Sequence, residues 1–350
     1  MTLKYAAATN LSADRIPAFS VFVLFVVLLL AGMACASVGG STFNLTHQQL
    51  AQIFTDLVTT GSVADDLATQ LIYSIRLPRV MIAAAVGAAL AIAGALMQGI
   101  TRNPLASPAL FGLNSGAACM LVLAETGMIP LLSQLPLVLS TATGAAFAGV
   151  TVLALGGGLR GKLHPTRMVL AGIALSALLL AITRTVLILD EQAQQILSWL
   201  AGSLTDVGWD HWQQLWPWIL SGIIASICIS HKLNILALGD EMATGLGTSA
   251  WALRLWASLA IILLTATGVA ITGPISFVGL LVPHLSRRLV GNDYRILIPV
   301  SALLGAALLC WADLLSRYMA FPSETPVGLV TALIGAPCFI WLASRGQERT

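Results

Sequence analysis

Long apolar runs, separated by short polar or Gly- and Pro-rich breaks, fill most of the 350-residue sequence. A helix rises ~1.5 Å per residue, so about twenty apolar residues cross the ~30 Å hydrocarbon core of a bilayer. The runs predict an all-α membrane protein in which residues 1–350 form one polytopic domain of about ten transmembrane helices. The predicted spans are 17–38, 78–98, 108–128, 135–156, 168–189, 212–230, 252–272, 275–290, 297–317 and 327–343.

Three stretches affect this count. The first run is longer than the apolar region of a signal peptide, so we interpret it as a span. The stretch 275–290 is short and is interrupted by Pro283. The polar connection from Gly39 to Ile75 contains an amphipathic stretch, Leu45 to Leu57, that predicts a surface helix.

The composition excludes a soluble globular protein. The chain is 57% hydrophobic and 9% charged, with a mean hydropathy of +0.89, whereas soluble domains carry roughly 25% charged residues. The net charge of +2 and the scattered basic residues do not indicate nucleic-acid binding. The five cysteines stand singly in apolar runs, and no Cys/His spacing matches a metal site. We therefore predict no metal-binding residues.

Lys and Arg placement predicts the orientation, because these residues concentrate on the cytoplasmic side. With a cytoplasmic N-terminus and ten spans, 13 of the 17 basic residues fall inside, and both termini are cytoplasmic. The inside set is Lys4, Arg15, Arg102, Arg160, Lys162, Arg167, Lys232, Arg254, Arg287, Arg288, Arg295, Arg345 and Arg349. The exceptions are Arg76, Arg79, Arg184 and Arg317.

Motifs for catalysis are incomplete or missing from the sequence. Gly156 to Lys162 (GGGLRGK) begins like a P-loop, but Leu163 stands where Ser or Thr would bind Mg²⁺. We interpret it as a glycine-rich turn. The spans contain no HExxH, no GxSxG and no paired carboxylates at helical spacing. We predict that the chain is not an enzyme.

Several motifs in a fixed order resemble the FecCD-type permease subunits of bacterial importers for iron–siderophore complexes and vitamin B12. The resemblance covers about residues 70–343. Its motifs are RLPR (76–79), GALMQGITRNPLASP (94–108), LAGIAL (170–175), WLAGS (199–203), ALGDEMATGLG (237–247), GPISFVGLLVPHLSR (273–287), LIPVSALLGA (297–306), ADLLSR (312–317) and ETPVGLVTALIGAPCF (324–339). Within the family, the sequence is most similar to ferric-citrate permease subunits, through GLNSGAA (112–118), LAGIALSA (170–177) followed by Thr183-Arg184, and PCFIWL (337–342).

This resemblance implies a type II ABC importer permease of the bacterial inner membrane. It implies a second permease subunit, two cytoplasmic ATPase subunits that bind the ATP, and a periplasmic substrate-binding protein. The chain itself would hold no cofactor. Similarity to the ferric-citrate subunits favours a heterodimer of two different permeases, and a homodimer stays open.

The resemblance also assigns residues to docking. Arg76, Arg79 and Arg317, at the outer ends of the second and ninth spans, match the arginines that hold glutamates of the binding protein. Charge-assisted Arg–carboxylate pairs suit this role because they are directional and often bidentate. The alternative is that these arginines are anchors that reach to the lipid headgroups.

Two cytoplasmic segments match functional regions of the family. The coupling segment 237–249 would contact the ATPase through Asp240, Glu241, Ala243, Leu246 and Gly247, although a plain surface helix fits the sequence equally well. We expect Asp240 to cap the helix that follows it, and Gly245 and Gly247 to end that helix. His164, Pro165 and Thr166 match the cytoplasmic gate loop.

Arg184 lies about sixteen residues into the fifth predicted span. A charge in the membrane is costly unless it faces water or a partner, so Arg184 is a candidate for the translocation pathway. There it would favour an anionic chelate. The alternatives are an ion pair with Asp190 or Asp313, or a side chain that reaches to the outer surface.

The sequence therefore predicts a permease subunit that moves a ferric chelate, with ferric citrate as the first choice, from periplasm to cytoplasm. Another siderophore or vitamin B12 is the alternative substrate. A stand-alone secondary transporter would be a different class of protein. It would need intramembrane carboxylates as ion sites, and the candidates are Asp190 and Asp313, both near the outer side.

Overall fold

A computed structural model describes residues 18–38, 67–131, 133–158, 161, 163–190, 196–321 and 323–346. Within these ranges the regular secondary structure is helical, and no strand occurs. The stretch from Leu45 to Leu57, where the sequence predicts a surface helix, lies outside the described residues.

Each predicted span overlaps one helix. The α-helices are α1 (Ala18–Val38), α2 (Leu67–Leu71), α3 (Leu77–Thr101), α4 (Leu113–Glu125), α5 (Leu137–Leu155), α6 (Pro165–Leu189), α7 (Leu197–Leu200), α8 (Trp209–Ala237), α9 (Asp240–Gly245), α10 (Ala250–Thr272), α11 (Val278–Val290), α12 (Tyr294–Met319) and α13 (Val327–Gly346). A π-helical turn, Ile72–Arg76, joins α2 to α3, and a 3₁₀ turn, Pro108–Phe111, precedes α4. In the described part of the chain, seven helical segments are long and apolar enough to cross a membrane.

Helix α3 lies at the centre of the bundle. In the most apolar 18-residue stretch of the span that contains α3, 78% of the residues are buried. The corresponding stretches of α1 and α6 are 22% buried. It packs against α8, α10, α11 and α12. Its sequence, LPRVMIAAAVGAALAIAGALMQGIT, consists mainly of Ala, Gly and aliphatic residues. Small side chains let neighbouring backbones approach closely, which is how helices associate in lipid.

Two glycine pairs bring the backbone of α3 into direct contact with its neighbours. A Cβ on Gly94 would lie 1.8 Å from the carbonyl oxygen of Gly279 in α11, and one on Gly87 would lie 2.3 Å from that of Gly305 in α12. Neither position has room for a larger residue, because the obstructing atoms belong to the backbone. Gly116 of α4 makes the same kind of contact with Gly144 of α5.

Helices α4 and α11 are only 13 residues long, and each follows a segment that is not α-helical. Gly112, with φ of +72°, ends the 3₁₀ turn and begins α4. Phe277, which precedes α11, has φ of +67°, a left-handed conformation that is uncommon for a bulky residue. Its side chain packs directly against Gly335 in α13, in the space that a side chain at position 335 would occupy.

Charged side chains gather at the two ends of α3. Arg76 and Arg79 stand at its beginning, and Arg102 follows its last residue. At this second end, Arg102 and Arg254 both bond to Asp240, and Arg287 donates to Gln98. The arginines predicted to be cytoplasmic therefore gather opposite those predicted to be periplasmic, while the side of the membrane on which each group lies stays a prediction.

Candidate functional site

Asp313 is the centre of a buried ion network at the end where α3 begins. The guanidinium of Arg79 donates to Asp313 Oδ1 from Nε at 2.9 Å and from Nη2 at 2.8 Å. Arg317, one helical turn after Asp313, bonds to Oδ2. The side chain of Asp313 is fully buried, and those of Arg79 and Arg317 are at most 6% exposed. Both oxygens of this carboxylate are thus bound to arginines.

Two of the three predicted docking arginines also hold the end of α1. Arg76 donates to the carbonyl of Ser37 at 3.0 Å, and Arg317 donates to the carbonyl of Ala36 at 2.8 Å. The last carbonyls of a helix lack partners within the helix and carry partial negative charge, so cations bind there favourably. Arg76 and Arg317 therefore fix α1 against the rest of the bundle.

The structure brings Arg76, Arg79 and Arg317 together, as the docking prediction requires, but it encloses them. Burial rules out simple headgroup anchors, because none of the three side chains extends outward. Glu324, which precedes α13, accepts from Arg79 Nη1 at 2.8 Å and is 35% exposed. It also accepts from the Thr205 hydroxyl at 3.2 Å. Glu324 is the solvent-facing member of the network, and the docking role itself stays a prediction.

At the other end of α3, Asp240 is held by two arginines. Arg254 of α10 donates to both of its oxygens at 2.8 Å, a bidentate pair, and Arg102 bonds to Oδ1. The double hydrogen bond from Arg254, aided by the charge of Arg102, holds the pKa of the Asp240 carboxyl below its ordinary value. The expectation that Asp240 caps α9 is wrong. The N-cap is Gly239, with φ of +122°, and the Asp240 carboxylate binds the arginines instead.

The coupling segment otherwise has the predicted form. Helix α9 ends at Gly245, and Gly247 has φ of +74°. Ala243 is fully buried and fixes the helix to the bundle, while Glu241 and Leu246 are exposed and available to a partner. Met242, which the sequence reasoning did not single out, is also exposed.

A cavity of about 560 Å³ joins the predicted gate to the predicted coupling segment. His164 and Pro165 line one side of it, and Asp240, Gly247 and Arg254 line the other. His164 is the N-cap of α6 and Pro165 its first residue, a position that suits proline because the missing N–H has no helical partner. Thr166 follows on the exposed side of α6. The predicted gate and the predicted coupling segment therefore face the same cavity.

Arg184 lies on the exposed surface of α6, five residues before the helix ends at Leu189. Five residues correspond to ~7.5 Å, so its Cα is nearer to the helix end than to the middle. Among the described residues it forms no ion pair. The alternative of a pair with Asp313 is wrong, because Arg79 and Arg317 occupy that carboxylate. Arg184 thus remains a candidate for the pathway or for reaching the outer surface.

The sequence analysis did not predict that Asp313 and Asp240 are the carboxylates that bind the arginines at the two ends of α3. Asp313 and Arg317 stand four residues apart, a spacing that places them on one helix face and could have indicated the pair. The bonds from Arg79 to Asp313 and from Arg102 to Asp240 join residues 234 and 138 positions apart. No local pattern indicates contacts of that range.

Comparisons with known proteins agree with this architecture. A sequence profile described as the FecCD transport family matches residues 24–345. The Fe(3+)-citrate import system permease protein of Bacillus subtilis (strain 168) is 39% identical over 98% of this chain and 99% of the relative. The iron(3+)-hydroxamate import system permease protein of the same organism is 43% identical over 80% of this chain and 72% of the relative. A solved structure, the inward-facing conformation of a metal-chelate type ABC transporter, superposes with a TM-score of 0.80 at 29% identity and covers 93% of this chain and 99% of that one. The predicted family resemblance and the all-helical permease fold are both confirmed.

The first prediction concerns Asp313. Asp313→Asn leaves the guanidinium groups of Arg79 and Arg317 buried without their carboxylate. Removing one partner of a buried ion pair costs about 3–5 kcal/mol. We expect a clearly lowered thermal unfolding midpoint in detergent. Asp210→Asn, at an exposed position in the first turn of α8, should change the midpoint little. Equal midpoints for the two variants would contradict the central role of Asp313.

The second prediction concerns the pH dependence of the Asp240 site. A carboxyl whose pKa is lowered by folding contributes stability above its unfolded pKa, about 3.9 for Asp, and loses it as pH falls through the folded pKa. We expect the difference in unfolding midpoint between wild type and Asp240→Asn to be constant from pH 8 to pH 5. It should shrink only below about pH 4. A difference that disappears near pH 6 would mean that another group titrates.

Proposed function

The chain belongs to the FecCD transport family, and from that premise we propose that it is the permease subunit of an ATP-driven importer whose substrate is ferric citrate. The coarser statement, a permease of an ABC importer for iron chelates, follows from the family and from the relatives as a group. The choice of citrate rests on similarity to citrate permeases over nearly the whole chain. Hydroxamate permeases have comparable identity, so the citrate assignment needs its own test.

The observation that carries the proposal is that one buried helix connects the two predicted interaction sites. Helix α3 begins at Arg76 and Arg79, in the network around Asp313, and ends at Arg102, which bonds to Asp240 of the coupling segment. A binding protein at one end and an ATPase at the other would thus act on the same rigid element. This arrangement suits a subunit that couples ATP hydrolysis to substrate entry and has no nucleotide site itself.

The partners follow from this arrangement. We infer that a periplasmic binding protein docks at the Arg79–Glu324 end. One of two ATPase subunits would dock at α9 through the exposed residues Glu241, Met242 and Leu246, and the other would dock on the second permease. A second permease would cover the exposed apolar faces of α6 and α13, and we favour a different chain over a second copy. The chain would lie in the bacterial inner membrane with both termini cytoplasmic.

Arg184 and Thr166 share one face of α6. They are 18 residues apart, which is five helical turns or ~27 Å. Leu170, Ile173 and Ile188 lie on the same face and are largely exposed. We propose that this face lines the translocation pathway, with Arg184 near the outer mouth and Thr166 at the gate. A fixed cation at the entrance would offset part of the dehydration cost of an anionic chelate.

The third prediction tests docking through Glu324, which competes with the binding protein for Arg79. Glu324→Gln removes this competitor and leaves the buried pair of Arg79 with Asp313 intact. Partly exposed ion pairs contribute up to about 1 kcal/mol, so we expect the binding protein to bind roughly threefold to fivefold more tightly. Affinity is measured on the ATP-free complex in nanodiscs. Glu125→Gln, which removes an equal charge from an exposed position at the end of α4, should have a smaller effect. Weaker or unchanged binding in Glu324→Gln would contradict the docking site.

The fourth prediction tests the substrate and Arg184 together. Proteoliposomes containing this chain with its permease partner, ATPase and binding protein should take up labelled ferric citrate when ATP is supplied. Excess unlabelled ferric citrate should block uptake, while a ferric hydroxamate and vitamin B12 should not. Arg184→Gln should reduce the maximal rate about tenfold, which corresponds to the loss of about 1.4 kcal/mol of stabilisation of the anionic chelate as it passes. The control Arg288→Gln, at an exposed position in the last turn of α11, should transport normally.

The outcomes separate the alternatives. Uptake of a competitor chelate in place of ferric citrate would support the importer function and rule out ferric citrate as the substrate. Normal ferric-citrate uptake by Arg184→Gln would reject its pathway role alone. Uptake that continues without ATP hydrolysis but stops when the proton gradient is abolished would favour a secondary transporter. Asp313, the better-placed ion-site candidate for that class, is already bound to two arginines.

A further inference from the structure

A cavity with a mainly apolar lining and four polar side chains, Ser107, Asn114, Thr265 and Ser276, lies at the level of the bundle's middle, where the two short helices begin. Its volume is about 250 Å³, and its lining also includes Phe277 and Gly279. Gly279 packs against the carbonyl of Leu90, which is 13 residues from the start of α3 and 11 from its end. At ~1.5 Å per residue the cavity is therefore about 16–20 Å from either end of α3.

Two helix N-termini meet at this cavity. Asn114 is in the first turn of α4 and Gly279 in the first turn of α11, and both line the cavity. Their backbone N–H groups have no acceptor among the described residues. Unpaired N–H groups and the positive ends of two helix dipoles favour an anion. The described lining contains no Asp or Glu that would oppose this.

Thr265 independently indicates a missing ligand atom. This residue of α10 is 1% exposed, lines the cavity, and its hydroxyl has no hydrogen-bond partner within the described chain. A buried hydroxyl without a partner costs about 1–3 kcal/mol. Because Thr265 lines the cavity, a ligand or water there would complete its hydrogen bonding.

The cavity opens to the outside of this subunit. Ala109 and Ser276, at its edge, are exposed. The neighbouring 3₁₀ turn packs on α6, because the Leu110 carbonyl lies directly against Gly172. Phe277 packs on α13 at Gly335. The mouth thus borders the two helices whose exposed faces the proposed function assigns to the pathway and the second permease.

We propose that this cavity is an anion-binding subsite that holds a carboxylate of the ferric chelate halfway across the membrane. Its volume is below the ~300 Å³ of the smallest typical ligand sites, so it takes one arm of the chelate and not the whole complex. The donors are the first-turn N–H groups of α4 and α11, the Thr265 hydroxyl and the Asn114 amide. The inference rests on the proposed function, because the chelate must pass this mouth.

The experiment places a cysteine at the mouth, Ser276→Cys, in the complete transporter in proteoliposomes. The exposed native cysteines Cys35, Cys228 and Cys338 are first replaced by alanine. Reaction rates are measured with two thiol reagents. Sulfonatoethyl methanethiosulfonate is anionic, and trimethylammonioethyl methanethiosulfonate is cationic. Ser323→Cys, at an exposed position outside the helices, is the reference. Two helix termini should raise the anionic-to-cationic rate ratio at residue 276 roughly tenfold above the reference.

Protection by substrate then tests the ligand. Ferric citrate delivered by the binding protein should slow the modification of Ser276→Cys, and Thr265→Val should weaken this protection. Ser258→Ala is the matched control. Ser258 is in the same helix as Thr265, and its hydroxyl is fully buried and has no hydrogen-bond partner among the described residues, but it does not line the cavity. The thermal unfolding midpoint of each variant in detergent verifies that it folds.

The results distinguish this proposal from the function on which it rests. An anion preference, with protection by another carboxylate chelate but not by ferric citrate, would support the subsite and reject citrate. Ferric-citrate uptake by a Ser276→Cys transporter that shows neither anion preference nor protection would overturn the subsite and leave the function intact. Equal loss of protection in Thr265→Val and Ser258→Ala would overturn the role of Thr265.

Discussion

Direct backbone contact around α3 is the constraint on which the rest of the structure depends. At Gly87 and Gly94 the neighbouring helices approach so closely that a single methyl group would meet a carbonyl oxygen. In lipid there is no hydrophobic force between helices, so such close van der Waals packing supplies much of their association. It also fixes α3 in position and rotation. The charged groups at its two ends can then be aligned with partners on helices that are distant in sequence.

The ion networks depend on this fixed geometry. An arginine buried without a carboxylate would cost several kcal/mol, and that cost is offset only when hydrogen bonds and charge are both satisfied. Asp313 meets this condition by binding Arg79 and Arg317, and the end of α1 accepts from Arg317 and Arg76. The same arginines therefore have two roles, since they hold α1, α3 and α12 together and are the proposed attachment point for a binding protein. Glu324 is 35% exposed, whereas Asp313 is fully buried, so the part of the network that a partner could reach lies outside the buried pair.

The sequence was sufficient to predict the helices and insufficient to predict their contacts. Run length placed each predicted span on a helix, although only seven helical segments in the described part of the chain are long and apolar enough to cross a membrane. The order of motifs identified the family, because both run length and motif order are local properties. The break at Gly245 and Gly247 was also predictable, since glycine chemistry acts within a few residues. The capping role of Asp240 was wrong because Arg102 and Arg254 compete for its carboxylate, and only the fold brings them there. The pairing of Arg79 with Asp313 and the cavity at Thr265 likewise depend on packing between distant helices.

The short helices α4 and α11 and the cavity beside Thr265 have a common origin. Irregular backbone at membrane depth is stable only where protein encloses it or where it lines a water-filled space, because unpaired N–H and C=O groups are costly in lipid. The segments before α4 and α11 meet both conditions, since they pack on α3, α6 and α13 and face the cavity. Had the chain needed only a scaffold, two continuous helices would have satisfied every backbone group without a cavity. The breaks leave N–H groups without acceptors among the described residues at mid-depth, next to the face of α6 that we propose lines the translocation pathway.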